Sequence, residues 1–375
     1  MGHRDTASDS SSDDTPFAAN NVRLSPREWI IALGIAAAIL AAIPFAWEQI
    51  EPIRIETNHR MPFSLGNDYW TYDRYCDKIS ADRDTTLVVG DSVIWGHFVG
   101  KDQTLPAHLN RAPGDARFAN MGVDGIHPAA LAGLMEHYGR GISGRKVILH
   151  CNLLWMSSPR GDLSGGKERS INHPDLIGQF IQRPECYDRP KAHRLGVLIA
   201  RKVPVFAWAD HMHIAYFDNS DLPTWTIDNP RANPADAITL KLPSPDEPPT
   251  PKPDIRPWIE KDIGQFDPPW VDLDDSFQWR CFKRTIDILA ARGNRVFVVV
   301  GPFNEHMLTK RSLAAYMTLT AKAHTWLGDH DIPHYVPKPL PSGTYADASH
   351  PLDEGYVLLA RQLLANEAFI RFAGD

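Results

Sequence analysis

Nineteen consecutive residues, 29–47, carry no charged side chain, and the run is bracketed by Arg23 and Arg27 before it and by Glu48 and Glu51 after it. As an α-helix this stretch reaches about 28 Å, close to the roughly 30 Å hydrocarbon core of a bilayer, and Trp29 and Trp47 at its ends suit the two interfacial belts. A buried helix of a soluble domain would normally keep a polar face, and none exists here. A cleaved secretory signal is the competing reading, but its small-residue cleavage pattern is poor, because Pro44-Phe45-Ala46 puts proline where a small residue is wanted. The run therefore predicts a single-pass anchor over 29–47. Arg23 and Arg27 place the short tail, residues 1–28, inside and the remainder outside, against a counterweight from Arg54 and Arg60. The start of that tail is dense in Ser, Asp and Thr and is expected to be disordered.

Past the span, residues 61–375 alternate short β-rich runs with helical periods, the pattern of an α/β domain with a parallel sheet. Strands are predicted over 86–89, 117–120, 146–154, 295–300 and 334–336, and helices over 128–140, 277–291, 308–327 and 352–372. The alternation fails between about 156 and 275. This insertion begins with polar, Gly-rich loops, continues through an apolar middle over 194–208 broken by Arg201, Lys202 and Pro204, and ends in 222–269 with twelve of the chain's 31 prolines. Its departure from the sheet directly after Asn152 predicts a cap over a site there. The apolar middle would rest on the membrane surface or on a partner protein, and the proline-rich end would form a stiff extended strap.

Serine is a weak nucleophile until a base takes its proton and an acid orients that base. Gly90-Asp91-Ser92 closes the apolar run Leu87-Val88-Val89, and Asp347-Ala348-Ser349-His350 follows far downstream. Between them stand Asn120-Met121-Gly122-Val123-Asp124-Gly125, at the end of the predicted strand 117–120, and His150-Cys151-Asn152-Leu153, after the run Lys146-Val147-Ile148-Leu149. Taken singly these are turn or cap chemistry. In this order, with Pro351 after His350, they resemble the four signature blocks of the SGNH (GDSL-like) hydrolase and acyltransferase superfamily. In the third block only the Asn matches, so the chain reads as a divergent, membrane-anchored member.

The resemblance implies a flavodoxin-like three-layer α/β/α sandwich around a central parallel sheet. It implies Ser92 as nucleophile, His350 as general base and Asp347 as its orienter, with an oxyanion hole from Ser92 N–H, Gly122 N–H and the Asn152 side chain, and no cofactor or metal. The activity it implies is that of an extracytoplasmic serine esterase or O-acyltransferase, acting on a short ester-linked acyl group, acetyl above all, of an envelope or exported polysaccharide. A transferase with one span would need a separate multi-span acyl-donor partner. The alternative is a carbohydrate-binding or polysaccharide-assembly protein that keeps the fold with weak catalysis.

A net charge of −7 and the absence of a Lys/Arg run speak against a nucleic-acid partner. Cys76, Cys151, Cys186 and Cys281 show no Cys-x-x-Cys spacing, which gives no support to a structural metal. In an oxidising compartment they leave up to two disulfides open, Cys151 being least suited to pairing. Asn304 and His306, after the predicted strand 295–300, are secondary candidates, while His97 and His127 read as polar rim residues.

Overall fold

A computed structural model of the chain describes residues 24–112, 117–167 and 169–374. The expected disordered tail falls outside them up to position 23. Helix α1, Pro26–Ile50, is longer than the predicted span at both ends. Ser25 and Glu28 form a capping box that starts it early, and Glu51 N–H donates to Trp47 O at 2.9 Å, carrying the last turn past Trp47. It is long and apolar enough to cross a membrane, and most of its side chains are exposed.

The remaining helices are α2 Tyr69–Ser80, α3 Ser92–Trp95, α4 Leu105–Leu109, α5 Pro128–His137, α6 Lys191–Ala200, α7 Pro204–Tyr216, α8 Leu222–Asp228, α9 Pro234–Ala237, α10 Phe277–Ala291, α11 Lys310–Asp329, α12 Asp353–Leu364 and α13 Glu367–Gly374. Five strands, β1 Thr85–Gly90, β2 Arg117–Gly122, β3 Lys146–Cys151, β4 Arg295–Val300 and β5 His334–Tyr335, form one parallel sheet in the order β2-β1-β3-β4-β5. That order changes direction at β1, between β2 and β3, and ligands of open α/β sheets bind beyond the strands' carboxyl ends at such a point.

The strands are apolar on both faces because helices cover both. Leu87, Val89, Leu149 and Val298 share one core with Leu134 of α5, Phe282 of α10 and Leu319 of α11. The intervening residues Val88, Ile148 and Phe297 share the other with Leu359 of α12 and Phe369 of α13.

Several boundaries differ from the sequence reading by one or two residues, as in β1, β2, β5 and α11, and three others shift for local reasons. The strand predicted over 146–154 stops at Cys151, since Asn152 Oδ1 accepts from Leu154 N–H at 3.0 Å and turns the chain. The helix predicted to 140 ends at His137, with Gly139 N–H donating to Leu134 O. The final helix is two, because Asn366 Oδ1 accepts from Phe369 N–H and opens a new one.

The insertion is more helical than its prolines suggest. Asp221 and Asn233 cap α8 and α9, each with proline in the first turn where its missing N–H costs nothing. The extended strap is therefore confined to the later part. There Arg60 Nε donates to Pro245 O at 3.0 Å, Lys101 N–H to Asp246 Oδ1 at 2.8 Å, and Trp258 N–H to Tyr345 O at 2.9 Å. The apolar middle forms α6 and α7, and α7 packs against the foot of α1 through Trp47, whose ring lies 5.8 Å from Trp208 and 6.3 Å from Tyr216. All four cysteines are free, so the disulfide option is unused here.

Candidate active site

Ser92 opens α3 immediately after β1. Asp91 caps this short helix by accepting from Val93 N–H at 3.0 Å, and Gly96 ends it at φ 90°, a conformation that disfavours any side chain. The turn is tightly enclosed: a Cβ on Gly122 would stand 2.4 Å from Trp95 N, so the neighbouring strand end must be glycine. Tyr356 of α12 donates its hydroxyl to Val93 O at 2.5 Å, while Arg60 Nη1 donates to the carbonyls of Trp95, Gly96 and Val99 at 2.9, 2.8 and 3.1 Å. Neither clamp was legible from sequence, since both act on backbone carbonyls that any residue could present.

The loop after β5 brings the acid and base. Asp347 Oδ1 accepts from the backbone N–H groups of Ser349 and His350 at 2.9 and 3.0 Å, and both carboxylate oxygens lie 2.8 Å from His350 Nδ1. An ionised carboxylate only accepts, which assigns the proton to Nδ1 and the lone pair to Nε2. Nε2 is 2.7 Å from Ser92 Oγ, so the serine hydroxyl donates to it. Burial opposes both charges, yet the pair outweighs it: the His350 charge and hydrogen bond hold Asp347 at about 2, and Asp347 lifts His350 above its ordinary value. Asn304, buried beneath the loop, donates from Nδ2 to Asp347 O at 3.0 Å and from its backbone to Ala348 O at 2.8 Å. His306 Nε2 donates to Leu340 O. The two secondary candidates thus hold loops, and Asn304 holds the one that bears Asp347.

Asn152 stands two residues beyond His150, so both side chains face the same way. The Asp91 carboxylate accepts from Asn152 Nδ2 at 2.8 Å, Trp155 Nε1 at 3.0 Å and His150 Nδ1 at 3.1 Å. Burial would raise Asp91, but the His150 charge and the hydrogen bonds from His150 and Asn152 hold it at about 2. Asp91 is therefore the residue that aims Asn152, a role the sequence reading did not assign.

One amide hydrogen of Asn152 remains for an oxyanion, and Ser92 N–H lies in a first helical turn that has no intrahelical acceptor for it. Gly122 departs from expectation. Its N–H donates to Asn120 Oδ1 at 3.0 Å, an Asx bond two residues along, and Asn120 is fixed by donating to Ile94 O at 2.8 Å.

On the rim, His97 Nδ1 donates to Asp124 Oδ1 at 2.7 Å, and its ring lies 5.8 Å from that of His350. Phe98 is 5.3 Å from the same ring on another side, with Lys261 of the strap over its face at 5.0 Å. His127 is not a rim residue: it is buried, capping α5 by accepting from Ala130 N–H. Among the described residues, no group of three or more His, Cys, Asp or Glu is arranged to hold a metal ion.

Fold and site together define an α/β protein with a Ser–His–Asp triad at the carboxyl edge of a parallel sheet. A serine so placed can attack a carbonyl carbon as His350 takes its proton. Among known proteins, no family model matches this chain and no curated protein does.

Proposed function

We propose that this chain is a membrane-anchored, extracytoplasmic serine esterase or O-acyltransferase of SGNH type, with the flavodoxin-like sandwich of that superfamily, acting on a short acyl ester of an envelope or exported polysaccharide. The observation that carries the reading is the unbroken line from Asp347 through His350 Nδ1 and Nε2 to Ser92 Oγ, with contacts of 2.8 and 2.7 Å. α1 supplies the anchor, and Arg23 and Arg27 set its orientation.

In the proposed reaction Ser92 Oγ bonds to the ester carbonyl carbon and its proton passes to His350 Nε2. The carbonyl oxygen becomes an oxyanion facing Ser92 N–H and the free Asn152 amide hydrogen. His350 then gives the proton to the departing sugar oxygen, leaving an acyl-serine. Water or an acceptor hydroxyl, deprotonated by the same nitrogen, attacks that acyl group; the bond from the acyl carbon to Ser92 Oγ breaks, and Nε2 returns the proton to Oγ. With one span, transfer from a donor on the far side of the membrane would need a separate multi-span partner.

The engagement of Gly122 N–H by Asn120 favours a second reading, a carbohydrate-binding or assembly protein with little turnover. Acetyl-ester cleavage by the full chain in detergent, with and without a polysaccharide acceptor, separates the readings. Ser92-dependent release of acetate supports an esterase, and acetate appearing on the acceptor supports a transferase. Carbohydrate binding that persists in Ser92→Ala, with no turnover in the parent, would leave the binding protein.

A further inference from the structure

The outer face of α6 is apolar and exposed. Leu195 is 53% exposed, Leu198 and Ile199 one helical turn on are 36% and 44% exposed, and Val203 and Phe206 follow at the start of α7 at 39% and 48%. Lys191 and Lys202 flank the stripe, and no acidic residue occurs from 191 to 209. A short helix with an apolar face and basic flanks is the pattern of a segment lying in a lipid interface.

Position within the fold says what covers this surface. Two residues past Phe206, Trp208 packs on Trp47 at the foot of α1, and three further on His211 lies between Glu51, which follows α1, and Asp68 before α2, at 3.1 and 2.7 Å. The stripe is thus carried by the same hairpin whose other face is held to the end of the helix that is long and apolar enough to span, and buried ionic contacts fix the two together. We propose that the α6–α7 hairpin rests on the bilayer surface beside α1, with its apolar stripe among the acyl chains and its lysines at anionic headgroups. This rests on α1 being the anchor.

The inner face of α6 has a different neighbour. Gly196, Val197 and Arg201 line a cavity of about 910 Å³ that also reaches Tyr69, Trp70 and Asp124. Asp124 is the partner of His97, beside His350. With the hairpin on the membrane, this cavity lies between the bilayer and the edge of the triad.

The test uses the full chain with Cys281→Ser, reconstituted in phosphatidylcholine vesicles containing phosphatidylglycerol, with a nitroxide on Leu198→Cys or Phe206→Cys. Reference labels sit on Ile39→Cys in α1 and on Met317→Cys in α11, positions 55% and 60% exposed. Relaxation by oxygen, which concentrates in lipid, is compared with relaxation by a water-soluble nickel chelate. The expected result is a lipid signal at 39, 198 and 206, with an oxygen-to-chelate ratio several-fold above that at 317. A lipid signal at 39 with a water signal at 198 and 206 would overturn the hairpin proposal and leave the anchor intact. A water signal at 39 as well would overturn both. Shielding of 198 from both reagents would overturn it in favour of a second protein, or a second copy, on that face. No outcome depends on catalysis, so the triad reading stands or falls separately.

Discussion

Two histidines, the half-buried His350 at the sheet edge and the fully buried His211 at the foot of α1, each face a carboxylate through Nδ1, and their second nitrogens set them apart. His350 Nε2 meets a serine hydroxyl at 2.7 Å, whereas His211 Nε2 meets a second carboxylate, Glu51, at 3.1 Å. With acceptors at both nitrogens, His211 is a doubly donating imidazolium; although burial opposes its charge, Asp68 and Glu51 raise it to about 9. Arg74 and Tyr216 also bind Glu51, so the cluster closes as a network. A His–carboxylate pair is thus no catalytic signature by itself. The atom on the far side of the ring decides whether a proton can move.

The largest expected effect lies on the His350 side. Ser92→Ala or His350→Ala should lower ester turnover by about 10⁴-fold or more, as loss of a triad member does elsewhere. His211→Ala should leave the triad's rate per folded molecule unchanged. It strips a partner from buried carboxylates, a change that typically costs about 3–5 kcal/mol, readable as a lower denaturant midpoint of the full chain in detergent. A rate loss in His211→Ala matching that in His350→Ala, with stability retained, would erase the distinction.

Next in size is Asn152→Ala, expected to cost about 100- to 1000-fold in kcat with little change in KM, as for one oxyanion donor. The milder Asp91→Asn keeps the shape but leaves one accepting oxygen where two serve Val93 N–H, His150, Asn152 and Trp155, and should lower kcat by misaiming Asn152 while the Ser92–His350 contact persists. A larger effect on KM than on kcat would instead assign Asp91 to substrate binding.

The smallest effect, and the sharpest in sign, is the pH dependence. His350 must be neutral to take the serine proton, and its pKa lies above 6.5, so turnover should fall as pH drops through a value above 6.5. The His211 network moves oppositely. Its folded pKa of about 9 exceeds the ordinary 6.5, so its stabilisation is complete below 6.5 and is lost as pH rises through about 9. Burial of Glu51 is outweighed mainly by His211, which lowers its pKa below 4.5, so its share is complete above 4.5 and is lost below the depressed value. Rate and stability measured across the same pH series should therefore cross, with stability highest between about 4.5 and 6.5. Parallel profiles would mean that one event governs both.

The His350 side was largely legible in the sequence and the His211 side was not. Ser92, Gly122 and Asn152 each stand at or just past the end of a short β-rich run, and such a run with a turn residue after it announces a strand end; Asp347 and His350 lie in one short loop. The predicted strand 295–300 agrees residue for residue with β4. Engagement of Gly122 by Asn120 was not legible, because an Asn two residues before a Gly serves equally as a strand residue or an Asx acceptor. His211 meets partners 160 and 143 residues away, Glu51 just past α1 and Asp68 before α2, and no local period links them. The helices of the insertion were hidden for another reason: proline was read as extension, whereas in a capped first turn it starts a helix.

The most direct measurement of the central claim is intact-mass analysis of the full chain in detergent after a serine-directed fluorophosphonate, with Ser92→Ala, His350→Ala and His211→Ala alongside. The expected result is a single adduct on Ser92 that disappears in the first two variants and survives in the third. No adduct in the parent chain, or an adduct that survives in His350→Ala, would contradict the assignment of the Ser92–His350 contact as a working acyl-transfer centre.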